Sequence, residues 1–169
     1  MIWYIVGCVG ILSLVSICFP SLYGGAWSPS RMRLVRKMLK MAELKPGETL
    51  IDLGAGDGRV ILTAAREFGA KAVGVEIDPV RLQICKTRAS AMGLDNLVTV
   101  SWGNFFEMDM SAADVVSFYL SQAAADKLAD KLRRELKPGA RVVSNRRPMP
   151  GWDAEKVDRL DRLYMYRAT

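Results

Sequence analysis

The stretch IDLGAGDGRV, residues 51–60, carries the residue types with the clearest chemical potential. Gly54, Gly56 and Gly58 alternate with Ala55 and Asp57 after an apolar run that contains Asp52. Glycines so spaced allow torsions barred to other residues and let a ligand approach main-chain atoms closely. A helix that starts directly behind them aims its free N–H groups at the same ligand. Glu76, with Ile77 beside it, ends the next apolar run about 20 residues later, where an acid can accept hydrogen bonds from both hydroxyls of a ribose. After a third apolar run come Gly103, Asn104 and Phe105, which offer an amide for a base edge and a ring for its face. Phe105 and Phe106 serve equally well as core residues. The spacing favours a nucleoside.

Charge narrows the choice. A dinucleotide fingerprint needs a small residue at position 59, and Arg59 stands there. Asp52 and Asp57 place two carboxylates around the turn, which repel a pyrophosphate but suit a ligand that carries an ammonium and a sulfonium. S-adenosylmethionine carries both and is the expected cofactor. The chain has no histidine, which removes imidazole bases, Ser-His-Asp and Cys-His pairs, and metal sites that need a histidine ligand. Cys8, Cys18 and Cys85 show no C-x-x-C spacing, so neither a zinc site nor a disulfide framework is supported. No metal is expected.

Transfer of a methyl group to an amine needs a neutral nucleophile held in line, and positioning supplies much of the rate. An apolar, partly dry channel favours the neutral form of an amine whose reference pKa is about 10.4. Ser117, Phe118, Tyr119 and Leu120 follow the fourth apolar run, and Tyr119 is the candidate to orient the amine through its hydroxyl. Its bland alternative is a structural role at the sheet edge. SFYL lacks the Asn or Asp, Pro, Pro, aromatic motif of enzymes that methylate amino groups of nucleic acids and glutamine.

The elements that must position these residues alternate. Strands are expected at 50–53, 72–76, 97–102, 114–119 and 140–144, and helices at 59–68, 79–92 and 122–136. Asp78 and Pro79 start the second of these helices and Gly93 stops it; Leu128, Leu132 and Leu136 form one stripe of the third. Such alternation implies an α/β fold, a doubly wound Rossmann-like parallel sheet with helices on both faces and ligands beyond the carboxyl ends of its strands.

Residues 1–30 carry no charge, and 2–23 is apolar and long enough to cross a bilayer, which needs about 20 helical residues. We expect one transmembrane helix, residues 1–24; a cleaved signal peptide and a buried core helix are its rivals. Arg31, Arg33, Arg36, Lys37 and Lys40 follow, with no acid between 31 and 40. That collar predicts a single-pass protein with its N-terminus outside and its catalytic domain, residues 45–169, on the cytoplasmic side or its equivalent in an organelle. Residues 25–44 then form a juxtamembrane linker and an amphipathic helix, capped by Ser30, that either flanks the anchor or lids the ligand pocket. The net charge of +6 lies almost wholly in the collar, since residues 41–169 hold nineteen basic and eighteen acidic residues. The collar therefore reads as a contact for anionic lipid, and no nucleic acid is expected as partner.

DLGAGDGR, VGVEIDP, GNFF and ELKPGARVVS together resemble the class I, seven-stranded S-adenosylmethionine-dependent methyltransferases. SPSRMRLVRKML and RRPMPGW narrow the resemblance to a small protein lysine methyltransferase family. That family includes archaeal lysine methyltransferases and the mitochondrial enzymes acting on the ATP synthase c-subunit and the adenine nucleotide translocase. The resemblance spans residues 29–169 and includes Arg146, Pro148, Pro150 and Trp152, but Arg147 stands where the mitochondrial members have an aromatic residue. It implies a cofactor loop of Asp52, Gly54 and Gly56, a ribose acid at Glu76 and an adenine site at Asn104 and Phe105. It also implies a C-terminal antiparallel hairpin of 152–160 and 163–167, with Asp161 and Arg162 at its turn, that completes the seven strands. The implied substrate is a protein lysine, membrane-embedded or membrane-proximal. A phospholipid or small amine, or a non-catalytic cofactor-binding scaffold, are the other readings. Replacing Glu76 by Ala is expected to weaken cofactor affinity at least tenfold; unchanged affinity in calorimetry refutes the ribose assignment.

Overall fold

The computed structural model describes residues 28–169. They contain strands β1 (Thr49–Leu53), β2 (Lys71–Glu76), β3 (Val98–Trp102), β4 (Val115–Phe118), β5 (Arg141–Asn145), β6 (Ala154–Asp158) and β7 (Leu163–Arg167). The helices are α1 (Met32–Met41), α2 (Arg59–Phe68), α3 (Pro79–Ala91) and α4 (Gln122–Glu135). The strands form one sheet in the order β3-β2-β1-β4-β5-β7-β6. β1 to β5 run parallel, β7 pairs antiparallel with β5, and β6 pairs antiparallel with β7. The order reverses between β1 and β4, which opens a crevice at their carboxyl ends.

β4 and β5 are buried along their whole length because both faces are covered, and their near-continuous apolar sequence reflects it. On one face Val35, Met38 and Leu39 of α1 and Ile61 and Leu62 of α2 pack with Leu50, Ala72 and Val143. On the other, the stripe Leu128, Leu132 and Leu136 packs against Ile51, Val116, Val142 and Tyr166. Local signals set the helix ends. Asp78 accepts from the amides of Val80 (2.8 Å) and Arg81 (3.3 Å) ahead of Pro79. Gly69, with φ of 66°, ends α2 in the left-handed conformation.

The basic face of α1 meets partners of its own. Arg33 pairs with Asp161 at 2.5 Å, Arg36 with Glu67 of α2 at 2.8 Å, and Lys37 with Asp161 at 2.6 Å and with Asp158. Hydrogen bonds from Arg33 and then Lys37 hold the Asp161 carboxyl well below the usual carboxylate range. Behind the helix, buried Arg141 donates to the carbonyls of Ala42 and Glu43, both at 2.9 Å, and pairs with Glu48 at 2.7 Å. The first described helix is thereby tied to the last strands of the sheet.

Three expectations are corrected. The seven-stranded sheet and its hairpin stand, but the transmembrane helix is not supported: among the described residues no helix is long and apolar enough to cross a membrane. Residues 2–23, on which that expectation rested, lie outside the described residues. The single-pass localisation has the same basis and is likewise unsupported. Nor does Ser30 cap α1, since the residue at the cap position is Arg31 and no side chain caps there. Ser30 instead accepts from the Asn145 side chain at 2.9 Å through Oγ and from Arg59 at 2.6 Å through its carbonyl. Two long-range hydrogen bonds outcompete the local one.

Gly58 closes the β1–α2 turn at φ of 81°, and a Cβ there would overlap Sγ of buried Cys85 on α3. Gly58→Ala is expected to cost about 2–4 kcal/mol from left-handed strain and overpacking. In urea denaturation, adding Cys85→Ala should recover part of that loss, a non-additivity that identifies the steric component.

Candidate functional site

Beyond the carboxyl ends of β1, β2 and β4 lies a cleft of about 880 Å3, counted to its open mouth. Asp52, Gly54, Ala55, Gly56, Asp57, Glu76, Ile77, Asn104, Phe105 and Tyr119, all singled out from the sequence, line it. Gly58 does not; it stands behind the loop, above Cys85, as the residue that lets α2 begin. Met38 and residues 28–30 form a further wall, as do Arg59, Phe118 and Leu120. The wall at Met38 fits the lid reading of α1.

Glu76 is buried and braced. One carboxylate oxygen accepts from the amide of Gly56 at 2.7 Å and the other from that of Asp78 at 2.9 Å. Each oxygen keeps lone-pair capacity for a further donor, and the carboxylate is already oriented. Gly54, with φ of 79°, would bring an added Cβ within 4 Å of only one heavy atom among the described residues, Leu120 Cδ2 at 3.6 Å. Gly74 of β2 has a second function: a Cβ there would lie 2.8 Å from both Ala55 Cβ and Ile61 Cδ1, so the bare strand lets loop and helix pack onto it. The sequence reading passed over Gly74, although an isolated glycine in a strand signals such close approach.

The two aspartates of the loop have opposite environments. Asp52 is buried and accepts one side-chain hydrogen bond, from Ser117 at 2.7 Å. Burial, reinforced by the charges of Glu76 and Asp57, pushes its carboxyl up to about 7 against the pull of the Ser117 hydrogen bond. Asp57 is taken up by arginine: Arg59 donates to it twice at 2.8 Å and Arg88 once at 2.8 Å. Burial pushes the Asp57 carboxyl up, but these arginines outweigh it and hold the group below the usual range. Of the two carboxylates Asp57 is taken by arginines, whereas Asp52 has a single hydroxyl donor and no cationic partner among the described residues. Arg88 lies 31 residues along the chain and no local pattern announced it.

Asn104 is half-engaged with its own turn, accepting from the amide of Phe106 at 3.1 Å and donating to Glu107 at 3.2 Å. Phe105 is buried beside it, its ring centroid 4.5 Å from that of Phe106. Trp102, 68% exposed, donates through its indole nitrogen to the carbonyl of Ile77 at 3.0 Å and so braces the rim next to Glu76. Tyr119 lines the far side of the cleft, with the Arg146 guanidinium 5.9 Å from its ring centroid. Cys85 is buried, and desolvation pushes its thiol up to about 12, which leaves it an inert packing group.

The fold and the glycine loop define an S-adenosylmethionine-dependent methyltransferase. The ANTKMT methyltransferase domain matches residues 52–156, and the chain belongs to that family. A protein-lysine N-methyltransferase of Saccharolobus islandicus is 40% identical over 79% of this chain and 83% of its own length. The adenine nucleotide translocase lysine N-methyltransferase of Mus musculus is 34% identical over 79% of this chain, which spans 59% of that relative's length. Among solved structures, an RNA methyltransferase from Salinibacter ruber in complex with S-adenosyl-L-homocysteine is 37% identical with a TM-score of 0.79, covering 84% of this chain and 93% of its own. S-adenosylmethionine is accordingly the methyl donor.

Asp52 yields a pH dependence. A cationic ligand prefers the ionised carboxylate, so below about pH 7 binding must release a proton and affinity falls by up to about tenfold per unit. Calorimetry is expected to show S-adenosylmethionine binding more weakly at pH 6 than at pH 7.5, and Asp52→Asn to flatten the profile. Stability has the opposite sign: with its folded pKa raised, Asp52 contributes most below the unfolded value, and that contribution is lost as pH rises through about 7.

Proposed function

We propose that the chain transfers a methyl group from S-adenosylmethionine to lysine side chains of a protein. The observation that carries this reading is the pairing of a braced cofactor cleft with an acceptor side built from Phe118, Tyr119 and Leu120, together with the lysine methyltransferase names of its relatives. The residues present fit the cofactor. Glu76 would hold the ribose hydroxyls, the loop of Gly54, Ala55 and Gly56 would border the methionine part, and Asp52 would face positive charge. Asn104, Phe105 and Ile77 would border the adenine. When bound, the cofactor supplies an electrophilic methyl group on a sulfonium.

The remaining work is positional. Phe118 and Leu120 exclude water from the acceptor side and so disfavour an ammonium, which cannot attack. Tyr119 is placed to orient the neutral amine through its hydroxyl. A loosely attached strong base is not required, because the product's proton can leave to water after transfer.

A nucleic-acid acceptor is the second reading, favoured by the description of the Salinibacter ruber structure. Against it stand the near-neutral balance of residues 41–169 and the ion pairs that occupy Arg33, Arg36 and Lys37. Methyl-labelled S-adenosylmethionine incubated with a whole extract of the source, followed by separation into protein, RNA and lipid, decides among them. Label in ε-methyl-lysine after acid hydrolysis is expected. Label confined to RNA, or to the chloroform phase, overturns the acceptor assignment.

A further inference from the structure

Asn145, at the carboxyl end of β5, is 1% exposed, and its buried Oδ1 has no hydrogen-bond partner among the described residues. The amide is not loose, because Nδ2 donates to Ser30 Oγ at 2.9 Å and Ser30 is a wall of the cofactor cleft. A buried amide oxygen without a donor destabilises the fold that contains it, and such a group calls for a partner from outside. Strand register places it. Asp52 pairs with Ser117 and Ser117 with Val143, so these three share one sheet face; two residues further come Asn145, the last residue of β5, and Tyr119, just past the end of β4. On the opposite flank, Gly74 pairs with Asp52, and Glu76 lies two residues further along β2 on that same face. Glu76 and Tyr119 thus line the cleft, and Asn145 stands beside Tyr119 at the end of the neighbouring strand, behind the cleft wall at Ser30.

We infer that Asn145 is a substrate-contacting residue whose Oδ1 accepts a hydrogen bond from the attacking amine. The inference rests on the lysine reading above. An amine that donates one N–H to Asn145 has its lone pair directed elsewhere, and a fixed acceptor restricts that direction. The nitrogen then forms the new N–C bond as the C–S bond breaks, the electron pair stays on sulfur, and the methylammonium product releases its proton to water. Asn145 neither gains nor loses a proton.

The test uses the full chain, saturating labelled S-adenosylmethionine and the same protein extract, with ε-methyl-lysine as readout. Asn145→Ala and the nearly isosteric Asn145→Leu, which leaves no cavity, are each expected to lower turnover at least tenfold. Their affinity for S-adenosyl-L-homocysteine in calorimetry should stay within threefold of the parent. Turnover within threefold of the parent in Asn145→Leu overturns the assignment. A parent protein that labels no lysine refutes the lysine reading and the inference together; a parent that labels lysine beside an unaffected Asn145→Leu refutes the inference alone.

Discussion

The hydrogen bonds that Gly56 and Asp78 donate to Glu76 join the three parts on which the cleft depends. Gly56 belongs to the loop that leaves β1, Asp78 is the residue that caps α3, and Glu76 ends the strand between their attachment points. Without that carboxylate two buried amides would lose their acceptor, and the loop would have no fixed height above the sheet. Because the bonds exist before any ligand arrives, the acid reaches its ligand already oriented and desolvated. The cost of ordering it falls on folding rather than on binding. Gly74 completes the arrangement from beneath, since only a bare strand position lets Ala55 and Ile61 sit as low as they do.

Within this frame two aspartates five residues apart are driven to different states. Asp57 faces outward to Arg59 and Arg88 and is neutralised by the fold itself. Asp52, buried with a single hydroxyl donor, is held near the point where it exchanges its proton at physiological pH. A carboxylate left so poorly compensated is a poor stabilising element and a good receptor for positive charge.

Much of this was legible in the sequence because the signals were short-range. α2 begins and ends where its apolar period and Gly69 place it, the other helices and the parallel strands agree within one residue, and the hairpin implied by the family resemblance agrees within two. The candidate residues on one loop and two strand ends line one cleft because the parallel topology must bring those ends together. What the sequence hid is long-range. Ser30 looked like a cap because nothing nearby betrays its bonds to Arg59 and Asn145, 29 and 115 residues away. The collar looked free for lipid because Asp161, the partner of Arg33 and Lys37, lies 124 or more residues downstream. Asn145 itself carries no pattern, since a single asparagine at a strand end is ordinary until its neighbours are known.

The ties between α1 and the β6–β7 hairpin also set an order of events during synthesis. α1 emerges with Arg33 and Lys37 uncompensated, and their partner Asp161 follows 124 or more residues later. Closing so long a loop is entropically slow, and the parallel sheet can assemble on nascent chain before it happens. The α1 wall of the cleft is therefore clasped only once the β6–β7 hairpin is in place, so a chain truncated before that hairpin has every residue of the glycine loop and lacks the clasp that holds its cover.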